Sequence, residues 1–295
     1  MKRVLTFDIG GTKIYSAIID SEGQVVSEVE KFATPKSLDE IKNILQMTIA
    51  KYEQEIDAVG VSTAGAVNKE NTRVISSTGN LVSNYRELDF SSLSKLPVFV
   101  ENDANCAAWA EYKIGSSKGC PNSVMLTLGT GVGGGIILDG KLFKGKSGAA
   151  GEMHFKMYSD KRRKCTCGAY DCFEAYASGT GLKWTAEEIS GNTDITTYDV
   201  IKGLETNDEM MVKIFRTWQE HITLGIIGLA NIFDPDCFVL SGSMAQFVDA
   251  KEIEDAVNGE IVTTPTSVRI GTAGNYSGMI GAGLLAISSL GENNG

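Results

Sequence analysis

Asp103 stands in the run Glu101-Asn102-Asp103-Ala104-Asn105, and a glycine-rich segment lies on either side of it in the chain: Asp8-Ile9-Gly10-Gly11-Thr12-Lys13 and Gly129-Thr130-Gly131-Val132-Gly133-Gly134-Gly135. Glycines remove the Cβ atoms that would hold backbone N–H groups away from phosphate oxygens, and they permit positive φ in a tight turn. A carboxylate flanked by two anion cradles points to phosphoryl transfer onto a hydroxyl, with the carboxylate accepting the proton. In the first cradle Gly10 and Gly11 expose amides, Thr12 adds a hydroxyl donor and Lys13 a cation. Asp8 would repel a bare phosphate, so its expected role is to hold Mg²⁺ through water. In the second, Gly129, Thr130, Gly131 and Gly133 are the expected nucleotide contacts. Gly242, in Ser241-Gly242-Ser243, is a turn that serves the core or lets an adenine or ribose approach the backbone.

The elements that must present these residues read as an α/β chain. Each cradle follows an apolar run, Val4 to Phe7 or Val124 to Leu128, and precedes another, Ile14 to Ile19 or Ile136 to Leu138. That pattern is strand, tight turn, strand, and its recurrence indicates an internal duplication. The glycines open a hairpin rather than a helix, which disfavours a P-loop or a dinucleotide fold. Residues 37–53 have helical spacing, with Ser37-Leu38-Asp39-Glu40 as a capping box. Strands are expected over 56–61, 98–100 and 237–240, and helices over 104–112, 208–233 and 278–290. Strand ends followed by small polar residues are where open α/β sheets bind ligands. The Gly-, Ser- and Pro-containing stretch 115–122 divides an N-terminal α/β domain (1–118) from a C-terminal one (119–279), with a last helix at about 280–295 packing back on the first.

Composition narrows the classes. The 295 residues carry a formal net charge of −10, which argues against a nucleic-acid surface. The apolar stretch after Met1-Lys2-Arg3 is broken by Asp8, so no signal peptide is expected, and no apolar run reaches the length of a membrane span. A cytoplasmic protein is expected. Three of six cysteines fall in Cys165-Thr166-Cys167-Gly168-Ala169-Tyr170-Asp171-Cys172. In a reducing compartment such a cluster reads as zinc ligands, and His154 is the one histidine near enough in sequence to complete four. Cys106, Cys120 and Cys237 are expected to be buried small hydrophobes. The basic run Lys161-Arg162-Arg163-Lys164 reads as a solvated loop edge. Glu152 and Glu174 bracket the cysteines and would suit hydrogen bonds to sugar hydroxyls.

Taken together these motifs, from Leu5 to about Leu285, resemble the ROK family of repressors and sugar kinases within the actin and hexokinase superfamily. The resemblance implies two ribonuclease-H-like α/β domains with an active cleft between them, ATP and Mg²⁺ as nucleotide and cofactor, and a structural Zn²⁺ at Cys165, Cys167, Cys172 and His154. It implies that Asn102 and Asp103 contact a hexose, that Asp103 is the catalytic base for its 6-hydroxyl, that Glu152 and Glu174 bind the sugar, and that Gly65, Thr78 and Asn80 line the cleft. A homodimer is the assembly it implies, with no nucleic-acid or membrane partner. One departure stands out: the family pattern Glu-x-Gly-His aligns its histidine with Phe155, whereas this chain reads Glu152-Met153-His154-Phe155, so either a one-residue deletion returns His154 to the metal or the zinc site is incomplete and packing holds the loop. Because that histidine also touches sugar, the change favours N-acetylmannosamine, a sugar of sialic acid breakdown, over glucose. A sugar-responsive repressor would need a helix-turn-helix ahead of a first strand that begins near residue 3. A sugar-binding protein without turnover is the third alternative.

Overall fold

The protein is described from a computed structural model, which covers residues 1–76, 81–157, 160 and 162–292. Two compact units emerge: residues 1–119, 135–151 and 272–295 in the first, and 120–134 and 152–271 in the second. The segment 135–151, assigned by sequence to the second domain, groups with the first unit. Its Ile137 and Leu142 pack with Trp109 and Met279, contacts that local sequence cannot reveal.

In chain order the first half contains β1 (Arg3–Ile9), β2 (Lys13–Asp20), β3 (Glu30–Ala33), α1 (Leu38–Tyr52), β4 (Ala58–Thr63), β5 (Ala66–Val67), β6 (Val74–Ser76), β7 (Val98–Asn102) and α2 (Asp103–Ile114). There follow β8 (Ser123–Leu128), β9 (Val132–Leu138), β10 (Lys141–Leu142), α3 (Glu174–Ala177), α4 (Gly179–Ser190), α5 (Thr197–Glu205), α6 (Glu209–Phe233), β11 (Cys237–Ser241), α7 (Ala250–Glu260), β12 (Ser267–Ile270) and α8 (Ser277–Glu292). One five-stranded sheet has the order β3-β2-β1-β4-β7 and the other β10-β9-β8-β11-β12. In each, the first long strand lies between its hairpin partner and a parallel strand, β4 beside β1 and β11 beside β8. The duplication read from the two cradles is therefore a duplication of sheet topology. No helix among the described residues is long and apolar enough to cross a membrane.

Local sequence explains the elements. Every residue of β4 is buried, as befits a parallel strand covered on both faces. Ile214, Phe215, Trp218, Ile222, Ile226 and Leu229 form the buried stripe of α6, and Asp208 caps it with bonds to Met210 N and Met211 N. The expected capping box at Ser37 does not form: its side chain makes no cap bond. Helix α1 is held instead by burial of Leu38, Ile41, Leu45 and Ile49.

Small residues on α8 decide how the first unit packs. A Cβ on Gly60 would stand 2.6 Å from Ala282 O, and one on Gly281 would run into the carbonyl of Cys106 in α2. Helix α8 thus lies against β4 and α2 at backbone distance. Gly281→Ala is expected to cost about 3 kcal/mol, because backbone must shift to admit the methyl group, and a lowered urea midpoint at unchanged m-value would register it.

Candidate functional site

In the first unit the site is built where three parallel strands end together. The register pairs Asp8 with Ser62 and Ser62 with Glu101, then Ile9 with Thr63 and Thr63 with Asn102. Asp8, Ser62 and Glu101 consequently share one row at the carboxyl edge of the sheet, the edge at which α/β sheets present ligand groups. Ser62 donates to Asp8 Oδ1 at 2.7 Å. Burial pushes the Asp8 carboxyl above the usual carboxylate range, against the smaller lowering effect of that hydrogen bond. A single carboxylate of this kind fits a divalent cation that keeps most of its water. The turn after β1 is closed by Gly10 N donating to Lys13 O at 3.0 Å, with Thr12 and Lys13 exposed.

Asn102 and Asp103 form the junction of β7 and α2. Asn102 Oδ1 accepts from Ala104 N at 3.0 Å and Asn105 N at 3.1 Å, which caps the helix. Its Nδ2 donates to Gly65 O and to Asp103 Oδ1, each at 3.1 Å. Ala104 N gives Asp103 Oδ1 a second donor at 2.9 Å. Gly65 has φ of +99°, where a Cβ would strike Ser76 O. The sequence-selected trio Gly65, Asn102 and Asp103 is therefore brought together, whereas Thr78 and Asn80 lie outside the described residues.

In the second unit the glycine loop after β8 already satisfies several of its own amides. Gly129 N donates to Gly131 O, and Gly133 N to Thr127 Oγ1, both at 3.0 Å. Val132 N donates to Glu174 Oε2 at 3.2 Å, and a Cβ on Gly131 would stand 2.5 Å from that oxygen. Gly242, with φ of +88°, rests its turn on the carbonyl end of β8, where a Cβ would lie 2.5 Å from Leu128 O. Gly179 N donates to Gly129 O at 2.8 Å and Thr180 Oγ1 to Thr130 O at 2.8 Å. The start of α4 thus joins the loop, a feature the sequence reading missed. Its signal was present in Ser178-Gly179-Thr180-Gly181, a small-residue run opening a helix capped by Ser178.

The cysteine-rich loop gathers His154, Cys165, Cys167 and Cys172, whose ligand atoms all lie within 4.8 Å of one another. Cys165 Sγ is 3.8 Å from His154 Nδ1, and Cys167 Sγ is 3.6 Å from Cys172 Sγ. A tetrahedral zinc with sulfur ligands at about 2.3 Å separates its donors by about 3.7 Å, so the donor set fits that ion. Met153 takes φ of +50°, and Phe155 stacks on the buried Phe173 with ring centroids 4.8 Å apart. His154, rather than the residue after it, turns to the cysteines. Glu152 is exposed just ahead of this turn. Glu174 heads α3 and accepts from the Thr166 hydroxyl and, at 3.3 Å, from Cys165 Sγ. Burial pushes the Cys165 thiol up to about 12, while the Ala169 amide leads the influences that hold the Cys167 thiol below its ordinary value.

Arg163 corrects the expectation of a solvated basic loop, since it is 5% exposed. Its guanidinium takes both carboxylate oxygens of Glu188, at 3.0 and 2.8 Å, and donates to Ala175 O, Gly181 O and Thr185 Oγ1. It also lies 4.6 Å over the Tyr176 ring. The planar fork matches acceptors fixed by α3 and α4, a match that residue type alone did not disclose. Arg163→Ala would leave two carbonyls without these bonds. A loss of about 3 kcal/mol is expected, visible as a lowered thermal midpoint. The buried thiols expected at Cys106, Cys120 and Cys237 are found.

Comparison with known proteins follows the same pattern along the whole chain. The ROK family profile matches residues 4–289. A glucokinase of Streptomyces coelicolor is 34% identical, with 95% of this chain and 96% of the relative covered. An N-acetylmannosamine kinase of Yersinia pseudotuberculosis is 29% identical over 98% of this chain and all of the relative. Among solved structures, a ROK glucokinase from Streptomyces griseus in complex with glucose and AMPPNP superposes with a TM-score of 0.76 at 29% identity, covering 97% of this chain and 99% of that one.

Proposed function

The chain belongs to the ROK family and has the actin-like α/β fold of its sugar kinases, and from that premise we propose that it transfers the γ-phosphoryl group of ATP to the 6-hydroxyl of a hexose. The observation that carries the reading is the Asp103 carboxylate, exposed at the first position of α2 and aimed by Asn102 Nδ2 and Ala104 N, in a chain 34% identical to a glucokinase.

Asp103 takes the hydroxyl proton as the oxygen attacks phosphorus in line, a step worth about 10²–10⁴-fold. Asn102 and Gly65 fix its neighbourhood and offer polar groups to the sugar, and Glu152 and Glu174 accept from further hydroxyls. Glu174 also accepts from the Thr166 hydroxyl and from Val132 N, so a sugar hydroxyl would share its carboxylate with these donors. The turns at Gly10 to Lys13, Gly129 to Gly133 and Gly242 take the nucleotide. Asp8 would hold Mg²⁺, which neutralises charge on the phosphates when bound. Cys165, Cys167, Cys172 and His154 would hold a zinc ion that fixes the loop between Glu152 and Glu174.

Among hexoses we assign N-acetylmannosamine first. In sequence Phe155 aligns with the family's histidine while His154 turns to the cysteines, and the stacking of Phe155 on Phe173 supports an apolar surface for an acetyl methyl group. Glucose is the second reading, favoured by the 34% identity to a glucokinase. A coupled ADP-release assay over hexoses and N-acetylhexosamines tests both. Turnover is expected with N-acetylmannosamine at a higher kcat/KM than with glucose, and the reverse order would move the assignment to glucose. Release of ADP with no sugar in the panel would end the kinase reading.

A further inference from the structure

A buried ion pair lies directly behind Asp103. The side chain of Glu101 is 3% exposed and that of Lys144 is 16% exposed, with Lys144 Nζ 2.7 Å from Glu101 Oε2. The ammonium also donates to Asn68 O at 3.1 Å and Asn71 Oδ1 at 3.0 Å, so all three of its donors are engaged. Glu101 is equally saturated. Asn71 Nδ2 meets Oε2 at 2.9 Å, and Oε1 accepts from Asn105 Nδ2 at 3.1 Å and from Asn102 N at 2.8 Å. That last bond fixes the peptide whose side chain caps α2 and donates to Asp103.

Burying a pair of charges is costly and stabilises a fold little, so its retention beside a reactive carboxylate calls for another reason. The placement of Lys144 supplies one. Its own carbonyl accepts from Gly148 N at 3.1 Å and Ala150 N at 3.3 Å, in the segment leading to Glu152. Gly148, with φ of +102°, seats that segment directly on the carbonyl of Val67. One residue therefore clasps the strand end bearing Asp103 on its side chain and the approach to Glu152 on its backbone.

We propose that Lys144 is a positioning residue for the transfer step: through Glu101 it locks the Asn102 peptide, and thereby the direction of the Asp103 carboxylate. The inference rests on Asp103 as the base. A shift of the base by about 1 Å is enough to lower turnover by about 10²-fold while leaving substrate affinity little changed. A residue that merely stabilises the fold would show no such separation.

The test is a double-mutant cycle on the full chain, with kcat, both KM values and the thermal midpoint measured for Lys144→Met, Asp103→Asn and the pair. Lys144→Met is expected to lower kcat by about 10²-fold with each KM within about threefold. In the Asp103→Asn background the same change is expected to lower kcat by less than about threefold, because the group it aims is already gone. Equal losses in both backgrounds, or an unchanged kcat in Lys144→Met, would overturn the proposal and leave the kinase reading intact. Asp103→Asn with near-normal kcat would end the base assignment and this proposal together. If Lys144→Met alone does not fold, Lys144→Met/Glu101→Gln, which leaves no unpaired buried carboxylate, is carried through the same cycle under the same criteria.

Discussion

Asp103→Asn should lower kcat by about 10²–10⁴-fold while the sugar KM stays within a few-fold of its starting value. The substitution keeps the size of the side chain and an oxygen able to accept from Asn102 Nδ2 and Ala104 N, bonds that orient Oδ1. It removes the ability to take up a proton. On the proposed role, ground-state contacts to the hydroxyl therefore survive, and only an interaction formed on the way to the transition state is lost. Steady-state kinetics with saturating ATP and a sugar titration measure both terms. A kcat within about threefold of the unsubstituted enzyme would remove Asp103 from the role of base.

Cys172→Ser should abolish zinc binding and lower the thermal midpoint by about 10 °C. A metal that binds the folded state alone at a thousandfold excess over its Kd contributes about 4 kcal/mol, and each kcal/mol moves the midpoint of a domain of this size by about 2–4 °C. The effect reaches beyond the ligands. The loop they close carries Thr166, which donates to Glu174, and its Asp171 accepts from the Arg163 amide and the Tyr176 hydroxyl. Metal analysis of the purified protein reads the first outcome and thermal unfolding, with and without a chelator, reads the second. Protein purified without zinc, with a midpoint indifferent to both chelator and Cys172→Ser, would show the cluster to be held by packing alone.

Different parts of the candidate site were legible to different degrees. The strand-turn-strand cradles were readable because their determinants, glycines between apolar runs, are local. Asn102 and Asp103 were readable because the sequence itself ends a strand and caps a helix at that point. Three cysteines within eight positions were readable as a cluster, since any compact loop must bring them close. The small-residue start of α4 was visible and unused, because Gly179 and Thr180 acquire meaning only when they meet the carbonyls of Gly129 and Thr130. Arg163 and Lys144 were unreadable, since nothing in a local window distinguishes a solvated basic residue from a buried one.

The sequence alone determined an α/β chain, a repeated strand, glycine turn, strand unit, a carboxylate at the end of a strand and a cluster of cysteines in one loop. Each depends on neighbours within a few residues, where backbone geometry leaves little choice. Tertiary structure alone decided that Lys144 closes on Glu101, that Arg163 is sealed among α3 and α4, and that Glu174 reaches the amide of Val132. Those pairings join residues far apart in the chain. Long cationic and acidic side chains are compatible with water or with a partner, and only packing that withdraws the water selects the partner.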